Sequence, residues 1–309
     1  MVEQLFYREK GLFLQRLHPV TALTYLGVLF VLALASSNPL YLTGVLVVVV
    51  LGIWAADGLE AWEGYLRIIL GMALLIMIVN PLVIHAGKTV LWLGPRLPVF
   101  GRLTISLEAV CYGAAMSVRL LDVVSIFCLY NLVVHPDKPL RLLSRFAGKS
   151  ALVASLAVRM FPSMLRELQS IREVQCLRGV DFAAGGMRER IKKYAFLLRA
   201  LLLTALEGSL ETAESMQARA FGSGPRTRYH LEVWRPRDTL CLTVSLLVLA
   251  VAAYGGIKGF TGYVYYPRLG SLLPGGTALA ALVAVFGGLL FPVALGWGWR
   301  RWPYLRSKI

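Results

Sequence analysis

The 309-residue sequence predicts an all-α polytopic membrane protein, with about six transmembrane helices and a cytoplasmic region of long crossed helices between spans four and five. Three observations carry that class. Hydrophobic residues make up 57% of the chain and charged residues only 16%, whereas soluble domains are about half apolar and about a quarter charged. Six apolar runs approach the ~20 residues needed to cross a hydrocarbon layer of ~30 Å. The charge that remains is gathered in one place, since residues 135–238 hold 18 of the 32 Lys and Arg and 10 of the 17 Asp and Glu.

In chain order the expected spans are Val20–Ser36, Leu40–Ala56, Leu66–Ile84, Leu103–Val134, Thr239–Tyr254 and Leu273–Gly296. The first two are joined by Ser-Ser-Asn-Pro-Leu, too short for anything but a tight hairpin, and the fourth is long enough to tilt or to project from the bilayer. Residues 1–134 then carry spans one to four, 135–238 the coupling helices, and 239–309 spans five and six. An even number of spans puts both termini on one side. Arg8, Lys10 and Arg16 before the first span, Arg300, Arg301, Arg306 and Lys308 after the last, and the basic middle region all mark that side as cytoplasmic. The loop His85–Arg102, with Lys88, Arg96 and Arg102, falls outside and is the exception. Orientation accounts for much of the net charge of +15, and no nucleic-acid partner is expected; membrane lipids are. The first residues show no removable signal pattern.

Elsewhere the sequence offers little chemistry. Cys111, Cys128, Cys176 and Cys241 have neither disulfide nor zinc spacing, and His18, His85, His135 and His230 lie far apart, so no metal site is expected. Asp57, Glu60 and Glu63 form the only acidic knot and read as a wet loop. Arg119 and Asp122 sit inside the fourth span at i, i+3, where they can pair; a structural pair and a functional contact both remain open.

The polar middle is too periodic to be a linker. A short amphipathic piece, DKPLRLLSRFAG, precedes a longer one in which Pro162 either kinks the helix or restarts it. From Pro162 onward Arg166, Glu167, Arg172, Glu173 and Arg178 mingle with Met164, Leu165, Leu168, Ile171, Val174 and Leu177, a helix with one wet side that Gly179 would end. A second helix begins near Arg188. Toward its end Glu207, Glu211, Glu214 and Ala218 make an acidic stripe beside a row of small residues, Ala205, Gly208, Thr212 and Ser215, where two helices could cross closely. That helix ends in Ala218-Arg219-Ala220 before Phe-Gly-Ser-Gly, so both long helices finish on an arginine. A cation at a helix C-terminus is favoured by about 0.3–1 kcal/mol, which makes capping one reading. Two matched endings make docking the other, because a guanidinium presents five donors to carboxylates and carbonyls of a partner.

These residues resemble the transmembrane T component of energy-coupling factor transporters, the family that includes the cobalt-type Q subunits. Its two coupling helices each end on Ala-Arg-Gly; here the first motif is Leu177-Arg178-Gly179 and the second Ala218-Arg219-Ala220, each with one departure. Arg159-Met-Phe-Pro162 is similar to the family's Arg-Phe-Ile-Pro, and Glu167 and Gln175 match its Glu and Gln positions. Leu17–Leu23 is similar to its Asp-Pro-x-x-Lys-Leu lead-in, with His18 for the acid and Ala22 for the lysine, and Arg119 matches an arginine of its fourth span.

The resemblance implies a non-catalytic subunit that bridges two cytoplasmic ATPases to one membrane-embedded substrate-binding S component, for uptake of a vitamin or a transition-metal ion. Arg178, Gly179, Ala218, Arg219 and Ala220 would dock the ATPases, with Arg159, Pro162, Glu167 and Gln175 supporting the coupling helices. ATP and Mg would be bound by the partner subunits, so no cofactor is expected in this chain. The residues agree in lacking a G-x-x-x-x-G-K-[ST] phosphate loop. Two rival classes, a membrane-embedded lipid-processing enzyme and a self-contained secondary transporter, would need clustered carboxylates or internal repeats respectively.

Overall fold

The computed structural model describes residues 12–84, 87–97, 101–135, 137–224, 233–272 and 275–301. Arg8, Lys10, His85, His230, Leu273, Arg306 and Lys308 lie outside them. The described chain is helical but for one hairpin: α1 Pro19–Ala35, α2 Pro39–Ala55, α3 Leu59–Val83, β1 Val90–Leu97, β2 Gly101–Ser106, α4 Leu107–Val133, α5 Asp137–Leu177, α6 Met187–Ala218, α7 Pro236–Ile257 and α8 Gly276–Arg301. It divides into two compact units, Met1–Pro139 with Val233–Ile309, and Leu140–Glu232.

In the first unit α3, α4, α7 and α8 are long and apolar enough to cross a membrane. The helices α1 and α2, 17 residues each, rise about 25 Å and fall short of that length. Both begin on a capping residue followed by proline. His18 Nδ1 accepts from Val20 N at 3.3 Å and Asn38 Oδ1 from Leu40 N at 3.0 Å, and each proline sits where its missing N–H costs nothing. The core is built from Leu29 and Ala33 of α1, Val45, Val49 and Ile53 of α2, Leu129 of α4, Cys241 of α7, and Val285 and Leu289 of α8. Outside it, large apolar side chains face outward: Ile68 is 69% exposed, Leu74 62%, Leu247 64% and Val283 61%. An exposed surface of that kind suits lipid or another membrane subunit and not water.

Small and polar groups set the close contacts. The faces of α3 and α4 meet at Gly113, whose missing Cβ would lie 3.3 Å from Asn80 and 3.5 Å from the Met77 backbone. Ser117 Oγ donates to Ala73 O at 2.8 Å, and Trp62 Nε1 donates to Ser125 Oγ at 3.0 Å. At the α1–α2 turn Ser37 N and Asn38 N both donate to Thr261 O, Asn38 Nδ2 to Leu272 O, and Tyr265 Oη to Ser37 O. The segment between α7 and α8 therefore satisfies the turn's backbone, and Tyr112, Tyr263 and Tyr265 stack edge-on beneath it.

Several expectations are corrected. The fourth span does not begin at Leu103: residues 103–106 belong to β2, antiparallel to β1 in the register Val90↔Ser106 and Leu97↔Gly101, and Ser106 then caps α4. The alternation in Arg-Leu-Thr-Ile-Ser suits a strand as well as an apolar run. The helix of the sixth expected span, α8, starts at Gly276; Leu273 lies outside the described residues. Glu60 and Glu63 are not loop residues but the first turns of α3, where Glu63 pairs with Arg67 at 3.0 Å; Asp57, at φ 50, makes the bend before it. The Arg119–Asp122 pair is not formed. Arg119 Nη2 instead donates to Ser36 O at 2.7 Å, at the buried C-terminal end of α1, while both carboxylate oxygens of the fully buried Asp122 lack a hydrogen bond among the described residues.

In the second unit the short amphipathic piece is no separate element. It is the start of α5, which runs unbroken for 41 residues through Pro162. Neither a restart nor a separate short helix is present. The helix α6 starts at Met187 as expected and runs for 32 residues.

Candidate functional site: two matched helix ends

An α-helix leaves its last carbonyls without partners, and a residue of positive φ just beyond the end lets the following N–H groups turn back to cap them. At the end of α5, Arg178 N bonds Val174 O at 3.1 Å, Gly179 N bonds Cys176 O at 3.0 Å, and Val180 N bonds Gln175 O at 3.0 Å. At the end of α6, Arg219 N bonds Ser215 O at 3.2 Å, Ala220 N bonds Gln217 O at 2.9 Å, and Phe221 N bonds Met216 O at 3.0 Å. The two patterns agree bond for bond. In each the arginine is the last residue before a left-handed turn, at Gly179 with φ 85 and at Ala220 with φ 54.

Both arginines are exposed, and neither guanidinium makes a hydrogen bond or ion pair with another described residue. Each is flanked by an apolar side chain that water does not favour: Leu177 is 88% exposed and Phe221 48%. A cation with a rigid five-donor fork beside an exposed hydrophobe is a surface suited to a partner's carboxylate and carbonyls. Backbone N–H groups satisfy the last carbonyls at both ends, so neither guanidinium is needed there as a hydrogen-bonding cap, and each is placed where the helix dipole favours a cation.

The loop after the first motif is held by the start of α6. Lys193 Nζ donates to Asp181 O at 2.6 Å and Ala184 O at 2.9 Å, Arg190 donates to Ala183 O, Asp181 Oδ1 accepts from Ala183 N at 2.8 Å, and Phe182 packs on Tyr194 with ring centroids 5.6 Å apart. Arg178 is thus placed near the beginning of α6 and Arg219 at its end. Thirty-two residues at 1.5 Å each separate them by roughly 48 Å, so the motifs are two sites and not one.

The supporting residues lie along α5. Arg159 is about 29 Å from Arg178 by helical rise and is exposed, so it forms no site with it. Pro162, also exposed, has no N–H to give Val158 O, and Arg166 Nε bonds the Pro162 carbonyl at 3.4 Å. Glu167 and Gln175 share a half-buried line with Met164, Leu168 and Ile171. In α6 the expected row of small residues Ala205, Gly208 and Thr212 is half-buried in line with the buried Leu201, while Ser215 and the acidic stripe Glu207, Glu211 and Glu214 are exposed. Leu198, Leu202, Leu206 and Leu210 expose a long apolar face beside them.

One polar cluster escaped the sequence reading. The carboxylate of Asp238, 1% exposed, accepts from His18 N at 2.9 Å and from Arg235 N at 3.0 Å, and its carbonyl accepts from Thr21 Oγ1. Only the acid three residues into the helix after Arg-Pro-Arg signals it, as an N-terminal capping pattern; the meeting with His18 is not local.

Comparison with known proteins gives the family of the chain. The family profile described as CbiQ, cobalt transport protein, matches residues 11–231. The chain is similar to the energy-coupling factor transporter transmembrane protein EcfT of Bacillus subtilis, 31% identical over 172 residues covering 52% of this chain and 64% of the relative. EcfT of Macrococcus caseolyticus is 26% identical over 254 residues, 77% of this chain and 93% of its own length. EcfT of Listeria innocua is 32% identical over 168 residues, with 51% and 63% covered. The chain thus spans somewhat less than two thirds of the Bacillus and Listeria relatives. With a family match running from before the cap of α1 to beyond the second arginine motif, the chain belongs to the CbiQ family.

Proposed function

We propose that this chain is the energy-coupling transmembrane subunit of an ECF-type importer, joining two cytoplasmic ATPase subunits to one membrane-embedded S component that carries a vitamin or a transition-metal ion. The observation that carries the reading is the pair of matched helix ends, two uncommitted guanidinium groups roughly 48 Å apart. Each docks on one ATPase, Arg178 with Gly179 and Arg219 with Ala218 and Ala220, and an exposed hydrophobe seats beside each. Relatives bearing the EcfT name support the same role. ATP and Mg stay with the ATPases, and chemistry belongs to them; this chain contributes position and movement. The apolar face Leu198, Leu202, Leu206 and Leu210 receives the S component, and the coupling unit and both termini are cytoplasmic.

The test is co-purification of the tagged chain with its ATPases from membranes, comparing the native sequence with the double variant Arg178→Glu and Arg219→Glu. Reversal of both charges is expected to cut ATPase recovery at least tenfold, with either single change intermediate. Recovery equal to that of the native chain overturns the reading.

A further inference from the structure

The coupling unit is an insertion: the chain leaves the membrane unit after Pro139 and re-enters it at Val233. Both crossing points fasten to one short segment, the turn Phe13–His18 that leads into α1. On the outgoing side, Lys138 Nζ donates to Gln15 O at 2.8 Å, and Gln15 Nε2 donates back to Leu132 O at the end of α4 at 2.9 Å. On the returning side, Arg237 Nη2 donates to Arg16 O at 2.9 Å, its guanidinium lies 5.8 Å from the Phe13 ring centroid, and Trp234 packs against His18 with tilted rings 4.6 Å apart. Asp238 closes the set by accepting from His18 N.

These bonds are partly buried: Gln15, Arg237 and Asp238 are 6%, 2% and 1% exposed and Lys138 is half-buried, so displacement of one strand strains bonds that water replaces poorly and tends to carry the partners with it. His18 is also the cap of α1, through Nδ1 to Val20 N. The helix α1 in turn packs on α2, α4 and α7, so a shift at its first turn reaches most of the membrane unit.

Resting on the function proposed above, we infer that the turn Phe13–His18 is the joint that relays movement of the coupling unit into the membrane helices, with Asp238 and Lys138 as its positioning residues. Closure of the ATPases pulls on the outgoing and returning strands together, and the shared turn carries that pull to the cap of α1.

The test is hydrogen exchange on this chain assembled with its ATPases in lipid nanodiscs, nucleotide-free and after ATP with vanadate. In the native chain, amides of Val20–Tyr25 are expected to change their exchange rate at least threefold with nucleotide, alongside those of the coupling-helix ends. In Asp238→Asn and in Lys138→Met the response at Val20–Tyr25 is expected to vanish while the response at the coupling-helix ends persists. A response at Val20–Tyr25 that survives in both variants, or that is missing in the native chain while the coupling ends respond, overturns the joint. If Asp238→Asn does not fold, Lys138→Met decides alone, since its side chain is half-buried and holds a single carbonyl. A native chain that recovers no ATPase, or whose coupling ends ignore nucleotide, instead overturns the function on which the joint rests.

Discussion

Ala220 stands at φ 54, where an L-residue crowds its own carbonyl, and its counterpart Gly179 stands at φ 85 without that strain. The substitution Ala220→Gly separates the cost of strain from the cost of glycine's freedom. The left-handed conformation costs an L-residue about 1–2 kcal/mol. Glycine returns about 0.4–1 kcal/mol of that by being freer in the open chain. The net gain is about 0.5–1 kcal/mol, which at 1.4 kcal/mol per decade is a factor of about two to five. It should appear as slower hydrogen exchange at the Phe221 amide, the donor to Met216 O that closes the end of α6. The reciprocal change Gly179→Ala meets no atom within 4 Å of the added Cβ, so its whole cost comes from φ, and exchange at Val180 should quicken by a similar factor. Unchanged exchange at both positions would show that the left-handed residues do not limit the two ends, and the parity drawn between the motifs would fail.

Other consequences are open to measurement. Arg119→Ala removes a charge-assisted bond to Ser36 O and is expected to lower stability by about 1.5–3 kcal/mol in denaturant titration of the chain in detergent, whereas Asp122→Asn should leave that bond in place. Gly44→Val puts its Cβ 2.1 Å from Phe286 Cζ, where the ring must give way, so it should cost about 1–3 kcal/mol and be largely relieved when combined with Phe286→Ala. Burial, then the neighbouring Tyr263, pushes the Tyr265 phenol up to about 12, with Arg119 opposing. Its protonated form is therefore favoured by folding, so the stabilisation is complete below pH ~10 and is lost between pH ~10 and ~12. Ultraviolet phenolate titration should show this late step in the native chain and lose it in Tyr265→Phe.

Local chemistry is what the sequence displays most clearly. His18-Pro19 and Asn38-Pro39 mark helix starts because a cap and a fixed φ act within two residues, and the arginine ends are legible because left-handed caps are local too. The errors came where an apolar pattern serves two structures or where a distant group intervenes. Leu103–Ser106 reads equally as strand and as membrane helix until β1 pairs with it. Arg119 and Asp122 are spaced to pair, but the free carbonyl of Ser36, 83 residues earlier, takes the guanidinium. Pro162 reads as a kink or a restart, and of the two the restart is absent: the helix continues through it for 15 further residues, its carbonyl bonded by the Arg166 side chain one turn on. Asp238 and His18 are 220 residues apart, and no period or motif announces their bond.

The helix that separates the two arginine motifs acts as a ruler. Seven residues added to α6 would lengthen it by about 10 Å while turning its far end by only ~20°, so the second arginine would overshoot its receptor yet face the same way. Two residues added would extend it by only ~3 Å but swing that arginine through ~200°, onto the opposite side. On the docking proposed above, phase more than length then decides whether two partner sites can be reached at once, and such partners would have to be built to one angular setting.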